Sequence, residues 1–477
     1  MNAIATVSQP TSAIAREPHA MRRGLAPLIL SGFFVNIYSV GVSSPATTDF
    51  FRELGATEFQ FGLISGIPLI MILMQFVGAT VLNHVPQRKP VYVTLVLSYR
   101  LLYLGVAFLP LALRHTAPQA VMPVVIVLLA MIAAAVNFAS PFCFSWVADI
   151  VPRRVMNRVW GWRQRVAFIA WTLAYLTVTW LLFSRKGSTT QLYPLLVVGA
   201  LVAGAIDILL YLRLPDPPNT LVRDGNLWRN LLEPARNPLF KRFIAYACFW
   251  SIALQFGSVF LIVYSLKILK LPPYLVMLYW SLQGIGSAIS SGFWGKMADR
   301  FGHRPVLRLC VGYKPVLVLG YLLATPDNMY WLIPLLLFPD GLVNAGYTLA
   351  NQGYLLTMSP QRNRSMFIAA QTGLAGICGG MSVIVSGALL EKLQGFSFDF
   401  GGRTWINYHI IFAICAILRM ATQLLAARIH EPTAVRTRLL VRSLLDESPL
   451  RAIQFPVGMF RRWNPFAVRD ENERRGN

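Results

Sequence analysis

Long blocks of apolar residues recur along the whole chain, and they restrict its fold more than any other feature of the sequence. A helix needs about 20 apolar residues to cross the hydrocarbon core of a bilayer. Twelve blocks of this kind lie at approximately 25–47, 58–81, 91–113, 119–145, 163–184, 191–213, 242–266, 273–296, 305–325, 329–356, 366–390 and 405–428. The sequence lacks the alternating strands of about 10 residues that build a membrane β-barrel. We therefore predict an all-α membrane protein with twelve transmembrane helices.

Composition supports this prediction and argues against other classes of protein. Only 13% of the residues are charged, against about 25% in an ordinary soluble domain. The net charge of +23 does not indicate nucleic-acid binding, because the basic residues crowd the connections between blocks and form no stripe with aromatic residues. Phosphate-loop, HExxH and GxSxG motifs are missing, and the five cysteines form no CxxC pair. We expect no enzymatic activity, no cofactor and no metal.

The distribution of Lys and Arg predicts the orientation in the membrane. These residues are far more frequent in the connections on the side of the two termini than in those on the opposite side. Cytoplasmic loops carry such an excess, so both termini are expected in the cytoplasm. The first apolar block follows the polar segment 1–23 and is too long for a signal-peptide core, so it is interpreted as a retained helix. We expect the cytoplasmic (inner) membrane of a bacterium.

Short sequence features repeat at a nearly constant offset. Arg88-Lys89-Pro90-Val91 and His303-Arg304-Pro305-Val306 lie 215 positions apart, and Asn157-Arg158 matches Asn363-Arg364 at a similar distance. These matches predict two related halves of six helices, the usual plan of secondary transporters with a central site. The predicted divisions are an N-terminal tail (1–24), a first half (25–213), a linker (214–241), a second half (242–428) and a basic C-terminal tail (429–477).

The linker and the C-terminal tail combine basic with apolar residues. Such amphipathic pieces bind anionic lipids at the inner leaflet, so we expect membrane lipids among the partners of this chain. A regulatory protein bound to the tail is a further possibility that the sequence leaves open.

The segment Gly295-Lys296-Met297-Ala298-Asp299-Arg300-Phe301-Gly302-His303-Arg304 resembles the loop signature of the major facilitator superfamily, G-x-x-x-D-R-x-G-x-R. It lies between helices 8 and 9, where that family has its second copy. The resemblance covers about residues 25–428. It implies a monomeric secondary transporter whose two halves rock about a central cavity, with Asp299, Arg300 and Arg304 as a conformational latch. Gly295 would let helix 8 end against a neighbour, and Gly302 would allow a tight turn. These charges could also merely set the topology.

The first half departs from the signature because the acidic residue is missing around 78–89. The following cytoplasmic connection offers a replacement latch made of Asp149, Arg153, Arg154 and Arg158. Helix 5 lacks the glycines and prolines of the antiporter signature in this family, which argues weakly against a drug/proton antiporter.

Five charged residues lie deep inside the apolar blocks, away from their ends, namely Arg100, Asp207, Lys314, Asp340 and Arg419. Charges in hydrocarbon are costly and indicate function by default. The resemblance places helices 1, 4, 7 and 10 around the cavity, so Asp340 on helix 10 is the candidate for proton coupling or substrate binding. Pro339 and Gly341 beside it predict a broken helix. The alternative is a structural partnership of Asp340 with Lys314, and the other charged residues are expected to form structural pairs or to reach the interface.

The predicted cavity helices also carry amides and aromatic rings, which suit a neutral or weakly charged polar solute. The candidate solute ligands besides Asp340 are Asn36, Tyr38, Asn137, Trp250, Gln255, Gln283, Asn344, Tyr347 and Gln371. These residues could instead join helices to one another. Gly284, Gly292, Gly376 and Gly380 would let helices approach closely, either for sliding or for static packing.

The sequence thus predicts a secondary active transporter that moves a small polar solute, with coupling to a proton. Two alternatives remain open: a non-transporting membrane sensor or assembly partner, and a solute exporter.

Overall fold

The structure, a computed structural model, describes residues 18–151, 156–184, 188–217, 238–358, 364–429 and 440. Its first part contains α1 (Pro18–Val42), α2 (Pro45–Glu53), α3 (Glu58–Ile70), α4 (Met74–Leu82), α5 (Arg88–Leu113), α6 (Val121–Ile150), α7 (Met156–Ser184) and α8 (Thr189–Leu212). Its second part contains α9 (Pro238–Lys267), α10 (Pro273–Phe301), α11 (His303–Leu322), α12 (Met329–Met358), α13 (Arg364–Lys392), β1 (Ser397–Phe400), β2 (Arg403–Ile406) and α14 (Asn407–Arg428).

The helices confirm the predicted all-α membrane fold. In the described part of the chain, eleven helical segments are long and apolar enough to cross a membrane. α1 with α2, and α3 with α4, each form one of these segments. The remaining predicted crossing, α10, has 29 residues and is therefore about 44 Å long at ~1.5 Å per residue. α10 is less apolar than the others because serine, glycine and glutamine interrupt it.

The first crossing is interrupted at Ser44, where the chain is extended with φ −144° and ψ 174°. A residue before proline avoids the helical conformation, while proline itself fits the first turn of a helix, so Pro45 starts α2. A short 3₁₀ turn, Met71–Leu73, likewise separates α3 from α4. The prediction of a broken helix at Pro339 was wrong, because α12 continues through that proline. In the next turn of α12, the Gly341 carbonyl accepts a hydrogen bond from Ser287 Oγ of α10 at 2.8 Å.

The connections lie at two ends of the bundle. The hairpin end carries the antiparallel pair of β1 and β2, whose turn uses Gly401 and Gly402 at positive φ. The sequence analysis did not predict this small hairpin. The motif end carries the turn from α10 to α11 at Gly302. Most of the predicted linker and nearly all of the predicted C-terminal tail lie outside the described residues, so their lipid contacts stay predictions.

Each half closes on itself through the same backbone contact. In the first half, Lys89 Nζ donates to the carbonyls of Leu212 at 2.6 Å and Leu214 at 2.9 Å. In the second half, Arg304 donates to the carbonyl of Ala427 at 2.8 Å. Lys89 and Arg304 are 215 positions apart in the sequence, and so are Leu212 and Ala427. A cation at the start of the third crossing thus caps the end of the sixth, which stabilises the C-terminus of the sixth crossing.

The two halves meet mainly along two helix pairs, α3 with α13 and α7 with α10. The first pair forms a glycine seam of Gly62, Gly66, Gly376, Gly380 and Gly387. A Cβ added to Gly66 would lie 2.6 Å from the Gly380 carbonyl, and one added to Gly380 would lie 2.6 Å from the Gly66 carbonyl. Only glycine therefore allows this approach.

The other predicted glycines differ in their surroundings. Gly284 faces the ring of Trp171 on α7, so it serves the second contact between the halves. Gly292 and Gly295 face open space, and α10 continues past both to Phe301. The expectation that Gly295 lets this helix end against a neighbour was therefore wrong for this structure.

We expect Gly380→Ala to lower the melting temperature of the purified protein, because the new methyl group forces α3 and α13 apart. Overpacking of this kind costs about 1–3 kcal/mol. Gly292→Ala is the matched control, because open space surrounds Gly292 on its helix. Helix propensity alone predicts a small rise in melting temperature for this variant. Equal melting temperatures of the two variants in a thermal unfolding assay would contradict the role of the seam.

Candidate functional site

A cavity with both hydroxyl and apolar side chains in its wall lies where α1 gives way to α2, between the two halves. Its volume is about 260 Å³. Five hydroxyl side chains line it, those of Ser43, Ser44, Thr47, Thr48 and Ser65, together with Phe51, Phe61, Ile64, Pro68 and Val259. Val259 belongs to α9 of the second half, so both halves contribute to the wall. No charged side chain is among these lining residues.

The hydroxyl of Ser44 is a buried polar group beside this cavity. The residue is only 9% exposed, and its Oγ has no hydrogen-bond partner in the described part of the chain. The backbone of Ser44 is fully engaged, because its carbonyl accepts from Thr47 N at 2.9 Å and its N–H donates to Thr47 Oγ1 at 3.2 Å. A buried hydroxyl without a partner is costly, and a bound polar group could satisfy it.

Polar residues on α1 and α9 form two faces that lead to this cavity. Asn36 and Ser39 lie three residues apart on α1 and share one face, and Ser43 follows directly after the end of this helix. On α9, Ser258 Oγ donates to Gln255 Oε1 at 3.3 Å, one residue before the cavity-lining Val259. The sequence analysis named Asn36 and Gln255 but missed the cavity hydroxyls. The Ser43-Ser44-Pro45 step was the available signal.

Several predicted solute ligands are partly exposed but already bonded to neighbouring groups. The Asn137 side chain accepts from Gln75 Nε2 at 3.0 Å and donates to the Ala133 carbonyl at 2.9 Å. Asn36 Nδ2 donates to the Gly32 carbonyl at 2.8 Å. These amides fix helices and still present part of their surface, so their role as solute ligands stays a prediction.

Three predicted ligands are buried, and two of them pack against residues of their own half. Tyr38 lies beneath the guanidinium of Arg100 at 4.7 Å, on the inner side of the first half, so the structure places it away from the hydroxyl cavity. Trp250 is 3% exposed and packs on Tyr347 with ring centroids 5.1 Å apart. Gln371 is also buried. The sequence could place these residues on cavity helices but not on a particular face.

Asp340 joins three helices inside the second half. Its Oδ2 accepts from Gln283 Nε2 at 2.6 Å and from Lys314 Nζ at 3.0 Å. Lys314 Nζ also donates to Asn344 Oδ1 at 3.1 Å. Asp340 is 1% exposed, and its Oδ1 has no hydrogen-bond partner among the described residues. The predicted contact with Lys314 is therefore present, together with two of the predicted polar ligands.

The remaining charged residues of the membrane region are buried and engaged. Arg100 pairs with Asp207 Oδ2 at 2.6 Å and donates to the Gly204 carbonyl. Arg419 donates to the backbone carbonyls of Ala253 and Leu254 on α9 and of Lys314 on α11. These residues stabilise the interior of their halves, as expected for structural partners.

The latch residues contact their own half at the motif end. Asp149 forms an ion pair with Arg88 at 2.6 Å, and Arg88 also donates to Ser145 Oγ at 2.8 Å. The sequence analysis expected later arginines as partners of Asp149. Arg153 and Arg154 lie outside the described residues, as does the side chain of Arg158.

The second-half motif shows a tight turn and exposed charges. Gly302 has φ +90°, which agrees with the predicted turn. Asp299 and Arg300 are exposed, and Arg300 lies over the ring of Phe301 at 5.1 Å. The cap of Arg304 on Ala427 stays within the second half. A latch between the halves stays a prediction.

Charged residues join the halves at the hairpin end instead. Glu58 Oε1 lies 2.9 Å from Lys267 Nζ and accepts from the Tyr408 hydroxyl at 3.1 Å. Nearby, Glu391 Oε2 accepts from the backbone N–H of Phe59 at 2.9 Å. We call Glu58, Lys267, Tyr408 and Glu391 the Glu58 lock. Sequence analysis missed it because its members lie far apart in the chain.

Comparison with known proteins identifies the class. The sequence profile of the Major Facilitator Superfamily matches residues 29–387. The chain therefore belongs to this superfamily of transporters, and the prediction of that family is confirmed. It is a multi-pass membrane protein of a family that carries small-molecule solutes and is not enzymatic. No curated protein matches the chain.

Solved structures share the fold at low sequence identity. The nucleoside transporter NupG is 14% identical, with a TM-score of 0.63 over 85% of this chain and 98% of its own. A bacterial homologue of the iron transporter ferroportin in an inward-facing state is 12% identical, with a TM-score of 0.63 over 85% and 98%. A D-xylose–proton symporter is 13% identical, with a TM-score of 0.61 over 86% and 98%.

We expect Glu58→Gln to open the hairpin end, because the substitution removes the charge that holds Lys267. If the closed state loses about 1 kcal/mol of stability relative to the open state, the population of the open state rises about fivefold. Electron–electron distance measurements between spin labels at the exposed positions His115 and Gln394 would show a larger long-distance fraction. Lys270→Met removes an exposed lysine at the same end and should leave the distances unchanged. An unchanged distribution of spin-label distances in Glu58→Gln would contradict the role of the Glu58 lock in holding the halves together.

Proposed function

We propose that this protein is a secondary active transporter that moves a small polar solute by alternating access, with coupling to a proton. The observation that carries the proposal is the cavity between two separately closed halves. On one side of that cavity, the glycine seam and the Glu58 lock hold the halves together. The contacts named above at the motif end each join helices of one half. Such a cavity suits a solute that enters from one side at a time.

We place the motif end in the cytoplasm, with both termini there, because Lys and Arg are concentrated in the connections of that end. The hairpin end would then face the outside, and the glycine seam and the Glu58 lock would close the protein on that side. We propose the cytoplasmic membrane of a bacterium as the location and a monomer as the working unit, since one chain supplies both walls of the cavity. Anionic lipids would bind the basic linker and tail.

The solute that fits the cavity is neutral and rich in hydrogen-bonding groups. Five hydroxyls and two aromatic rings line the wall, without a charge to balance an ionic ligand. Hydroxyls pair with polar edges, and aromatic rings cover flat apolar faces. Transporters of nucleosides and of D-xylose have the same fold, and both kinds of solute have this chemistry. Uridine and D-xylose are therefore suitable first probes.

Ser65→Leu should raise the solute concentration for half-maximal transport about tenfold, because the larger side chain fills the cavity and removes a hydroxyl. One lost hydrogen bond and a steric conflict together account for roughly 1.4 kcal/mol. Thr177→Leu, on an exposed face of α7, is the matched control. Uptake into proteoliposomes would be measured over a concentration series, and equal values for both variants would exclude this solute site.

Asp340 is the group that we propose for proton coupling. It is a buried carboxylate with one oxygen still unbonded among the described residues, and Gln283 and Asn344 connect it to partly exposed positions. A proton could therefore add to Oδ1 without displacing the bonds to Oδ2. The exchange of this proton with one side of the membrane at a time would couple solute movement to the proton gradient.

Asp340→Asn should abolish solute accumulation driven by a proton gradient, while counterflow exchange of the solute persists. The amide keeps the size and polarity of the carboxyl group but cannot take up a proton. Asp327→Asn, at an exposed position, is the control. Uptake and exchange would both be measured in proteoliposomes. Undiminished gradient-driven uptake in Asp340→Asn would rule out the coupling role.

The same preparation separates the transporter from the alternative of a membrane sensor. Flux of a solute favours the transporter, while binding of that solute without flux favours a sensor or assembly partner. The dependence of flux on the direction of the imposed proton gradient distinguishes uptake from export.

A further inference from the structure

Each half contains one buried ion pair based on its third crossing. Arg100 on α5 pairs with Asp207, and Lys314 on α11 pairs with Asp340. All four residues are at most 3% exposed. The two cations lie 214 positions apart, one residue short of the repeat offset seen at Lys89 and Arg304.

That one-residue difference changes the partner of each cation. One residue turns a side chain by about 100° around a helix with 3.6 residues per turn. Arg100 therefore faces α8, the last crossing of its half, whereas Lys314 faces α12, the fourth crossing of its half. The first pair lies beside Tyr38 and Tyr103, and the second lies beside Gln283 and Asn344.

The chemistry of the cations also differs. The Arg100 guanidinium donates to Asp207 and to the Gly204 carbonyl and lies over the Tyr38 ring, so two of its nitrogens and one of its faces are engaged. Arginine does not lose its proton in proteins, and its fork favours a charged carboxylate. Lys314 is a point charge that divides its donors between Asp340 and Asn344. If Asp340 becomes neutral, Asn344 still holds the lysine.

An unbonded oxygen does not distinguish the two acids, because both Asp207 and Asp340 have an Oδ1 without a hydrogen-bond partner in the described chain. The cation and its second partner do distinguish them. Around the second pair, the other charged or titratable groups are Arg419 from α14 and Cys310 and Tyr313 on α11. α10 contributes the neutral amide of Gln283.

We propose that the two pairs have separate tasks: Arg100–Asp207 is a permanent ion pair, and Lys314 is the positioning residue that lets Asp340 take up and release a proton. This inference rests on the proposed proton coupling. A hydronium ion in the cavity gives its proton to Oδ1 and becomes water, so the cluster gains one positive charge. Lys314 then keeps its bond to Asn344. Release reverses these steps.

The test is infrared difference spectroscopy of the full-length protein in lipid vesicles over a pH titration. The carbonyl stretch of a protonated carboxyl group reports the charge state directly and needs no solute. The wild type should show a band that disappears as the pH rises and that is missing in Asp340→Asn. Lys314→Arg should shift this disappearance to lower pH by more than one unit, because the guanidinium holds the carboxylate more firmly. Arg100→Lys and Asp207→Asn should leave the pH at which the band disappears unchanged.

The outcomes separate this inference from the proposed function. If the wild type has no band that Asp340→Asn removes, proton coupling at Asp340 fails and the inference fails with it. If the band is present but unmoved in Lys314→Arg, only the inference is overturned. A titrating band that Asp207→Asn removes also overturns it. If Lys314→Arg does not fold, Lys314→Gln should move the band to higher pH, and an unmoved band there overturns the inference as well.

Discussion

Hydrocarbon offers no hydrogen bond to a polar group, and this constraint determines how the buried charges of the described membrane helices are arranged. The backbone satisfies itself in helices, and the buried ionisable side chains find partners inside the protein. Arg419 shows how strictly this applies, because its guanidinium bonds to three backbone carbonyls. The buried ion pairs Arg100–Asp207 and Lys314–Asp340 each connect helices of a single half.

Contacts between the halves are of another kind. The glycine seam brings backbones together without directional bonds, so the two surfaces can separate without leaving a buried charge unpaired. The polar contacts of the Glu58 lock lie at the end of the bundle, where water can replace them. Strong bonds within each half and replaceable contacts between halves are the physical requirement for two bodies that move against each other.

The sequence predicted the parts of this structure that depend on local pattern. Apolar block length gave the helices, and the glycine of the loop motif gave the turn at Gly302. The helix break was predicted at the wrong proline. Pro45 begins a helix after an extended Ser44, whereas the helix that contains Pro339 continues through it. Knowing which helix carries a residue does not tell which face of the helix its side chain occupies. Tyr38 was therefore predicted to line the cavity. The ion pair of Glu58 and Lys267 joins residues 209 positions apart, and only the packed structure brings them together.

The caps at Lys89 and Arg304 have a consequence for how the protein is made. Each cap ties the end of a half to the same half, and the first one needs nothing that follows Leu214 in the chain. The ribosome therefore delivers to the membrane a first bundle that can close before α9 exists. A first half that closes in this way leaves the carbonyls of Leu212 and Leu214 bonded while the second half is being made.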